Sequence, residues 1–218
     1  MVQKALLVCG ILASVLYVGT DILAAMRWES YSYTSHSVSE LRAIGAPTRP
    51  FLIPFLFIYG ALEIAFGYGV REATGHRRAL RITGVLLIVL GVVDLVAPFF
   101  PMHLRGAEKT MTDTLHVIFT VVTVLLILLI IGFGAAANGK WFRLYSYATI
   151  LVLIIFGALA FLDGPRLAAN MPTPWMGVRE RINIFGFMLW MMVLAIVLLR
   201  AQGTLLHNFN GEATLHRK

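Results

Sequence analysis

The amino-acid sequence predicts an all-α protein, a polytopic membrane bundle of about six transmembrane helices with a short amphipathic helix in its first outer loop. Hydrophobic residues make up 59% of the 218 residues and charged residues only 13%, whereas soluble domains average about 25% charged residues. The apolar residues fall in runs of roughly 18–22 residues, long enough to cross about 30 Å of hydrocarbon. The runs are separated by short polar connections.

Each apolar run predicts one span, and the connections contain the glycine, proline and charged residues that end helices. The predicted spans are residues 5–26, 51–70, 82–100, 114–137, 146–162 and 182–199. The first run has few basic residues before it, is long, and contains Asp21, so we expect a retained helix and not a cleaved signal peptide. Residues 1–200 form the predicted transmembrane domain, and residues 201–218 form a polar cytoplasmic tail.

The distribution of basic residues predicts that both termini lie in the cytoplasm and that the protein is located in the cell membrane. The connection after the second run, REATGHRRALR, holds four arginines beside one acid. Trp28 and Trp175 stand near the predicted outer interface and Trp141 near the inner one, where amphipathic rings are favoured.

Charge and cysteine content restrict the partners that we expect. The formal net charge is +7, but the basic residues stand between membrane runs, so anionic lipid headgroups are the expected partners and nucleic acid is not. Cys9 is the one cysteine of the sequence, which excludes an intramolecular disulfide. The sequence leaves the oligomeric state open.

The first outer loop contains the signature of a short helix. Ser37 and Glu40 have the spacing of a capping box, in which each side chain binds a backbone N–H of the first turn. Val38 and Leu41 fall on one face, and Gly45 favours a stop. We expect an amphipathic helix at the outer interface.

Two interpretations of this loop helix stay open: a lid without chemistry, or a ligand-contacting segment that uses His36, Glu40 or Arg42. We take the predicted ligand-binding residues to be Glu40, Arg42, Arg49, Glu180, Arg181 and Asp21. All of them belong to the predicted outer half of the protein.

Four segments carry a family resemblance: HSVSELRAIGAPTRPF, FFPMHLRG, TDTLHVIF and GVRERINIFGFMLW. In order and spacing they resemble the bacterial polytopic membrane proteins catalogued as domain of unknown function 998. The resemblance implies a fold of about six spans and implies no activity. Relatives often have an acidic residue after the FP element, where this chain has Met102 and His103.

Asp113 and His116 have D-x-x-H spacing at the start of the fourth run, which places both side chains on one helix face. One interpretation is that Asp113 caps the helix. The other is that the pair binds a proton or a metal ion together. A zinc site needs three or four ligands and no recognised metal motif is present, so we expect no metal and no other cofactor.

Asp21, Asp94 and Glu63 stand inside apolar runs, where an unpaired carboxylate costs several kcal/mol. Candidate cations for the first two are Arg42, Arg49, Arg105, Arg179 and Arg181. Glu63 has Gly60 and Gly67 on adjacent ridges of the same helix, so we expect it to face another helix and to be a candidate proton carrier.

Three classes of function remain. The first binds or modifies a lipid-like amphiphile in a polar pocket open to the outer face, with His116 and Asp94 as candidate catalytic residues. The second is a proton-coupled transporter of small molecules, and the third an accessory or structural membrane subunit. The sequence does not decide whether the protein is an enzyme. The first class predicts that Glu40, Asp94, His116 and Arg181 converge in space.

Overall fold

In the computed structural model the chain forms long helices joined by short connections. The structure describes residues 2–73 and 77–215, with side chains up to residue 202. The helices are α1 (Val2–Met26), α2 (Arg49–Glu72), α3 (Arg78–Val96), α4 (Met111–Ala137), α5 (Lys140–Leu162), α6 (Gly164–Ala168) and α7 (Met176–Leu215). A 3₁₀ helix at Val38–Arg42, called the loop helix below, lies between α1 and α2, and a 3₁₀ turn at Ala97–Phe99 extends α3.

Six helices of the described ranges, α1 to α5 and α7, are long and apolar enough to cross a membrane. The same ranges contain no strand, and one isolated bridge joins Ile44 to His103. The predicted all-α polytopic bundle is therefore confirmed.

The six long helices pack in a ring that follows the chain. Each of α1 to α4 packs against the next helix in sequence, α5 packs against α7, and α7 closes the ring on α1. Inside the ring, the Ser14 hydroxyl donates to the carbonyl oxygen of Met188 at 2.9 Å and so joins α1 to α7. Trp190 of α7 is fully buried, and its indole N–H donates to Ser146 of α5 at 2.9 Å. These contacts fill the centre of the ring with side chains.

Helices α2 and α3 approach each other closely through glycines. A Cβ added at Gly67 would lie 2.8 Å from the carbonyl oxygen of Gly84, and one at Gly91 would lie 2.9 Å from that of Gly60. Small residues at these points let the backbones meet, which is a common way for membrane helices to associate. As predicted, Glu63 lies on this face and is fully buried against α3.

All six long helices begin before the predicted spans, for example α5 at Lys140 and not at residue 146, and two local predictions also differ from the structure. Helix α4 begins at Met111 with Thr110 as its N-cap, so the prediction that Asp113 is the cap is wrong. Asp113 instead stands at the third helical position and accepts from the Thr110 N–H at 2.8 Å, which completes a capping box. The loop helix has the predicted Ser37–Glu40 capping box but is a 3₁₀ helix of five residues.

The connections 27–48, 100–110 and 163–175 meet at one end of the bundle, called the loop end below. It is the end that the sequence predicts to be outside, and the orientation stays a prediction. Helix α7 continues to Leu215, and the predicted tail, residues 201–218, lies mostly outside the residues whose side chains are described.

Candidate functional site

The loop helix is the centre of the candidate site because each of its residues contacts a different part of the bundle. Its capping box holds the segment in shape: the Glu40 N–H donates to the Ser37 hydroxyl at 3.2 Å, and the Ser37 N–H donates to Oε2 of Glu40 at 2.7 Å. Val38 and Leu41 are buried. The loop helix therefore packs against the long helices with its apolar side chains buried.

Glu40 forms a bidentate ion pair with Arg105 of the α3–α4 connection. The Nε and Nη2 atoms of Arg105 donate to Oε1 and Oε2 of Glu40 at 2.6 and 2.7 Å. The hydrogen bonds to Glu40 raise the pKa of the Arg105 guanidinium. Arg105 also donates to the Thr173 hydroxyl at 3.3 Å, which in turn donates to the carbonyl oxygen of Ser35 at 2.8 Å. Glu40 thus ties together all three connections of the loop end.

Asp21 and Arg181 form a second, more deeply buried pair between α1 and α7. Arg181 is 4% exposed, and its Nε and Nη2 atoms donate to the two carboxylate oxygens of Asp21 at 2.9 and 3.2 Å. The Tyr33 hydroxyl donates to the same carboxylate at 3.0 Å, and Arg181 Nη2 donates to the Tyr31 hydroxyl at 2.9 Å. The expected pairing of Asp21 with a loop-end arginine is confirmed.

Burial changes the pKa values of three loop side chains near the Asp21–Arg181 pair. Burial raises the pKa of the Tyr31 phenol, against the opposing effect of Arg181. Burial and the nearby Asp21 carboxylate raise the pKa of Tyr33. Burial lowers the pKa of His36, while Glu40 opposes that shift. His36 is therefore held neutral, which suits its Nδ1 atom as acceptor of the Ser32 N–H at 3.0 Å.

Two further ion pairs occupy the loop end. Arg179 donates from Nη1 to Oδ2 of Asp163 at 2.6 Å. His103 donates its backbone N–H to Asp113 at 2.7 Å, and its Nδ1 lies 2.8 Å from the same carboxylate. Asp113 is therefore engaged by His103 and not shared with His116.

Glu180 and His116 both bind the loop helix. One oxygen of Glu180 accepts from the Val38 N–H at 2.6 Å. The Nε2 atom of His116 lies 3.2 Å from the Ser39 hydroxyl, and its Nδ1 lies 3.3 Å from the carbonyl oxygen of Phe100. Ser39 was not among the residues that the sequence singled out.

Arg42 and Arg49 differ in how they are used. The guanidinium of Arg49 donates to the carbonyl oxygens of Arg42 at 2.6 Å and Pro98 at 3.2 Å, so it fixes the backbone at these two residues. Arg42 takes part in none of the four ion pairs found among the described residues. Its charge acts through space on Asp94 and Glu180.

Arg42 lines a narrow cleft between α1, the loop helix and α2 whose cavity volume is about 20 Å³, room for about one water molecule. Its walls are mainly apolar, with Asp21 and Thr20 as the polar members. The lining residues are Tyr17, Thr20, Asp21, Val38, Leu41, Arg42, Leu52 and Leu56.

Deeper in the bundle, the carboxyl groups of Glu63 of α2 and Asp94 of α3 are neighbours. Two neighbouring carboxyl groups favour a state in which one of them carries a proton, because two adjacent negative charges repel each other. Tyr59 donates to Oε1 of Glu63 at 3.4 Å, and its ring packs edge-on against Tyr17 at 5.1 Å between centroids. Oε2 of Glu63 is buried without a hydrogen-bond donor among the described residues.

The four residues predicted to converge make separate contacts in the structure, and of these contacts only those of Glu40 and His116 involve the loop helix. Glu40 binds Arg105, Arg181 binds Asp21, His116 binds Ser39 and Asp94 lies beside Glu63. Ser39, Tyr31 and Tyr33 also belong to the site, although the sequence did not single them out. The Y-x-Y pair at 31 and 33 is the signal for two of them, since both hydroxyls bind the buried ion pair.

Within the described part of the chain, no group of three or more His, Cys, Asp or Glu side chains is arranged to hold a metal ion. The expectation that the protein uses no cofactor stays a prediction.

Six apolar helices and a loop end closed by buried ion pairs define a multi-pass helical membrane protein. The chain belongs to the family described as protein of unknown function (DUF998), whose model matches residues 11–197. This match confirms the resemblance inferred from the four sequence segments. No curated protein and no solved structure matches the chain.

Proposed function

We propose that the protein binds an amphiphile with an anionic head and one acyl chain in the cleft between α1 and α2. The observation that carries the proposal is Arg42, a cation at the edge of a mainly apolar cleft and outside the four ion pairs of the described residues. A phosphate or carboxylate head suits a guanidinium, which binds such groups through two parallel hydrogen bonds.

The shape of the cleft favours one chain over two. Leu52 and Leu56 of α2 face Tyr17 of α1 across it. Its cavity of about 20 Å³ is much smaller than the roughly 300–1,000 Å³ typical of small-molecule pockets, so even one acyl chain has to displace the leucine side chains. A single acyl chain between the leucines places its head beside Arg42.

The other predicted ligand-binding residues of the loop end already have partners. In this proposal Arg42 is therefore the residue that contacts the anionic head directly. Asp21 also lines the cleft, but Arg181 and Tyr33 already bind its carboxylate. Glu40, Glu180 and Arg49 hold the loop helix and its backbone. In this proposal, these predicted ligand-binding residues position the segment that carries Arg42.

Decyl phosphate binding to purified protein in detergent, measured by calorimetry and native mass spectrometry, tests the proposal. Because a hydrogen bond to a charged group contributes about 1.5–3 kcal/mol, we expect Arg42→Gln to weaken binding by roughly 10- to 100-fold. Leu56→Trp, which fills the cleft, should block it.

Arg27→Gln is the matched control, since Arg27 lies exposed at the same end over the Phe51 ring, 3.8 Å from its centroid. Equal binding by wild type, Arg42→Gln and Leu56→Trp would refute the cleft as the site.

A second function, proton-coupled transport, is favoured by one specific observation, the contact between Glu63 and Asp94 in the middle of the α2–α3 interface. A pair of adjacent carboxyl groups is a candidate loading site, because a pair that already holds one proton can take up a second and release it without leaving two adjacent negative charges.

Proton flux into liposomes that contain the purified protein tests this second function. We expect flux that disappears in Glu63→Gln and persists in Glu72→Gln, which removes an exposed acid at the end of the same helix. Flux that is unchanged in Glu63→Gln would exclude the pair as the carrier.

A further inference from the structure

The contact between Ser39 and His116 has the geometry of a nucleophile beside its base. The serine hydroxyl lies 3.2 Å from Nε2 of the imidazole, and both side chains are partly exposed. Ser39 belongs to the loop helix and His116 to the second turn of α4, 77 positions apart in the chain. A serine is activated when a base lies within hydrogen-bond reach and a third group orients that base.

The third group is the carbonyl oxygen of Phe100, 3.3 Å from Nδ1 of His116. A carbonyl oxygen only accepts, so Nδ1 carries the hydrogen in this contact. In the neutral ring, Nε2 is then the unprotonated nitrogen, and it faces the Ser39 hydroxyl. This is the tautomer that a general base for serine requires.

A positive charge stands near the same pair. The loop helix has three residues per turn, so Ser39 and Arg42 fall on one face of it. A guanidinium in that place favours the negative oxygen that develops when a hydroxyl attacks a carbonyl carbon.

We propose that Ser39 and His116 form a catalytic dyad that cleaves a carboxylic ester of an amphiphile by acyl transfer to Ser39. Oγ attacks the ester carbonyl carbon while its proton passes to Nε2 of His116. The bond to the alcohol oxygen then breaks, and His116 returns the proton to that oxygen. Water, activated by the same nitrogen, cleaves the acyl-serine and releases a carboxylic acid. This inference rests on the proposed function in one respect: the acyl chain of the ester lies in the cleft between α1 and α2.

A fluorophosphonate with an alkyl chain tests the dyad directly, because a reactive serine displaces its fluoride and keeps the phosphonyl group. We expect one adduct per chain on Ser39, located by peptide mass spectrometry in the full-length protein. Ser39→Ala should abolish the adduct. His116→Gln should slow labelling by about 100- to 10,000-fold, the usual contribution of a positioned base.

Ser35→Ala is the matched control, a partly exposed serine of the same connection, and should label as the wild type does. Octanoyl p-nitrophenyl ester hydrolysis should follow the same order of variants. Size-exclusion profiles in detergent verify that each variant is folded. A wild type that gives no adduct on Ser39, or one that His116→Gln labels equally fast, would overturn the dyad.

Decyl phosphate binding separates this inference from the proposed function. Binding without an adduct on Ser39 refutes the dyad and supports the cleft. An adduct on Ser39 without binding supports the dyad and refutes the cleft.

Discussion

Two regions of this protein handle buried charge in opposite ways. At the loop end, carboxylates face cations, as in the pairs Asp21–Arg181 and Glu40–Arg105. In the middle of the α2–α3 interface, Glu63 faces another acid, Asp94, and one of its oxygens lacks a hydrogen-bond donor among the described residues. A balanced pair fixes structure, whereas two adjacent acids favour the binding of a proton that can be exchanged. The comparison separates groups that hold the fold from groups available for function.

The largest expected effect comes from removing the cation of the more deeply buried pair. Arg181→Met leaves the Asp21 carboxylate buried without its partner, and breaking a buried pair in this way costs about 3–5 kcal/mol of unfolding free energy. Thermal unfolding in detergent measures the loss. The double variant Asp21→Asn with Arg181→Met should recover most of it, and failure to recover would show that the pair is not the cause.

Glu40→Gln should have a smaller effect. Its partner Arg105 is 19% exposed as a side chain, so water can solvate the guanidinium after the substitution. We expect a loss of about 1.5–3 kcal/mol, typical of a hydrogen bond to a charged group. Glu72→Gln, an exposed acid, is the control and should change stability by less than about 0.5 kcal/mol. Equal unfolding temperatures for the two variants would contradict the structural role of Glu40.

Glu63→Gln should change stability least among the buried acids. The amide has the same shape as a protonated carboxyl and can donate to Asp94, so we expect a change within about 1 kcal/mol. The contrast with Arg181→Met is the sharpest test of the comparison. A loss as large as that of Arg181→Met would mean that Glu63 is ionised and paired in the fold.

The smallest expected effect is a pH dependence from His36. Burial lowers its pKa in the folded protein, so below the ordinary value of about 6.5 the unfolded chain binds more protons than the fold does. The free energy of unfolding should therefore fall as the pH falls from about 6.5 toward the lowered pKa of His36 in the folded protein. The difference in unfolding temperature between wild type and His36→Gln, measured from pH 7.5 downward, should shrink as the pH falls. A constant difference would contradict the assignment.

The sequence predicted the helices well because bilayer length and composition are local properties. It also predicted that Glu63 faces a helix, since Gly60 and Gly67 on the same face allow close packing. The sequence could not predict that Arg105 is the partner of Glu40, because the two residues are 65 positions apart and the pairing depends on a 3₁₀ turn. The Ser39–His116 contact was missed for the same reason.

The loop helix is short, yet its periodicity of three distributes its side chains over three faces, with residues three apart on the same face. Inserting or deleting one residue between positions 37 and 42 would rotate the following side chains by about one third of a turn. The side chains of Ser39, Glu40 and Arg42 would then each point in the direction that a neighbouring side chain of the helix had before. Length in this stretch is therefore as constrained as residue identity.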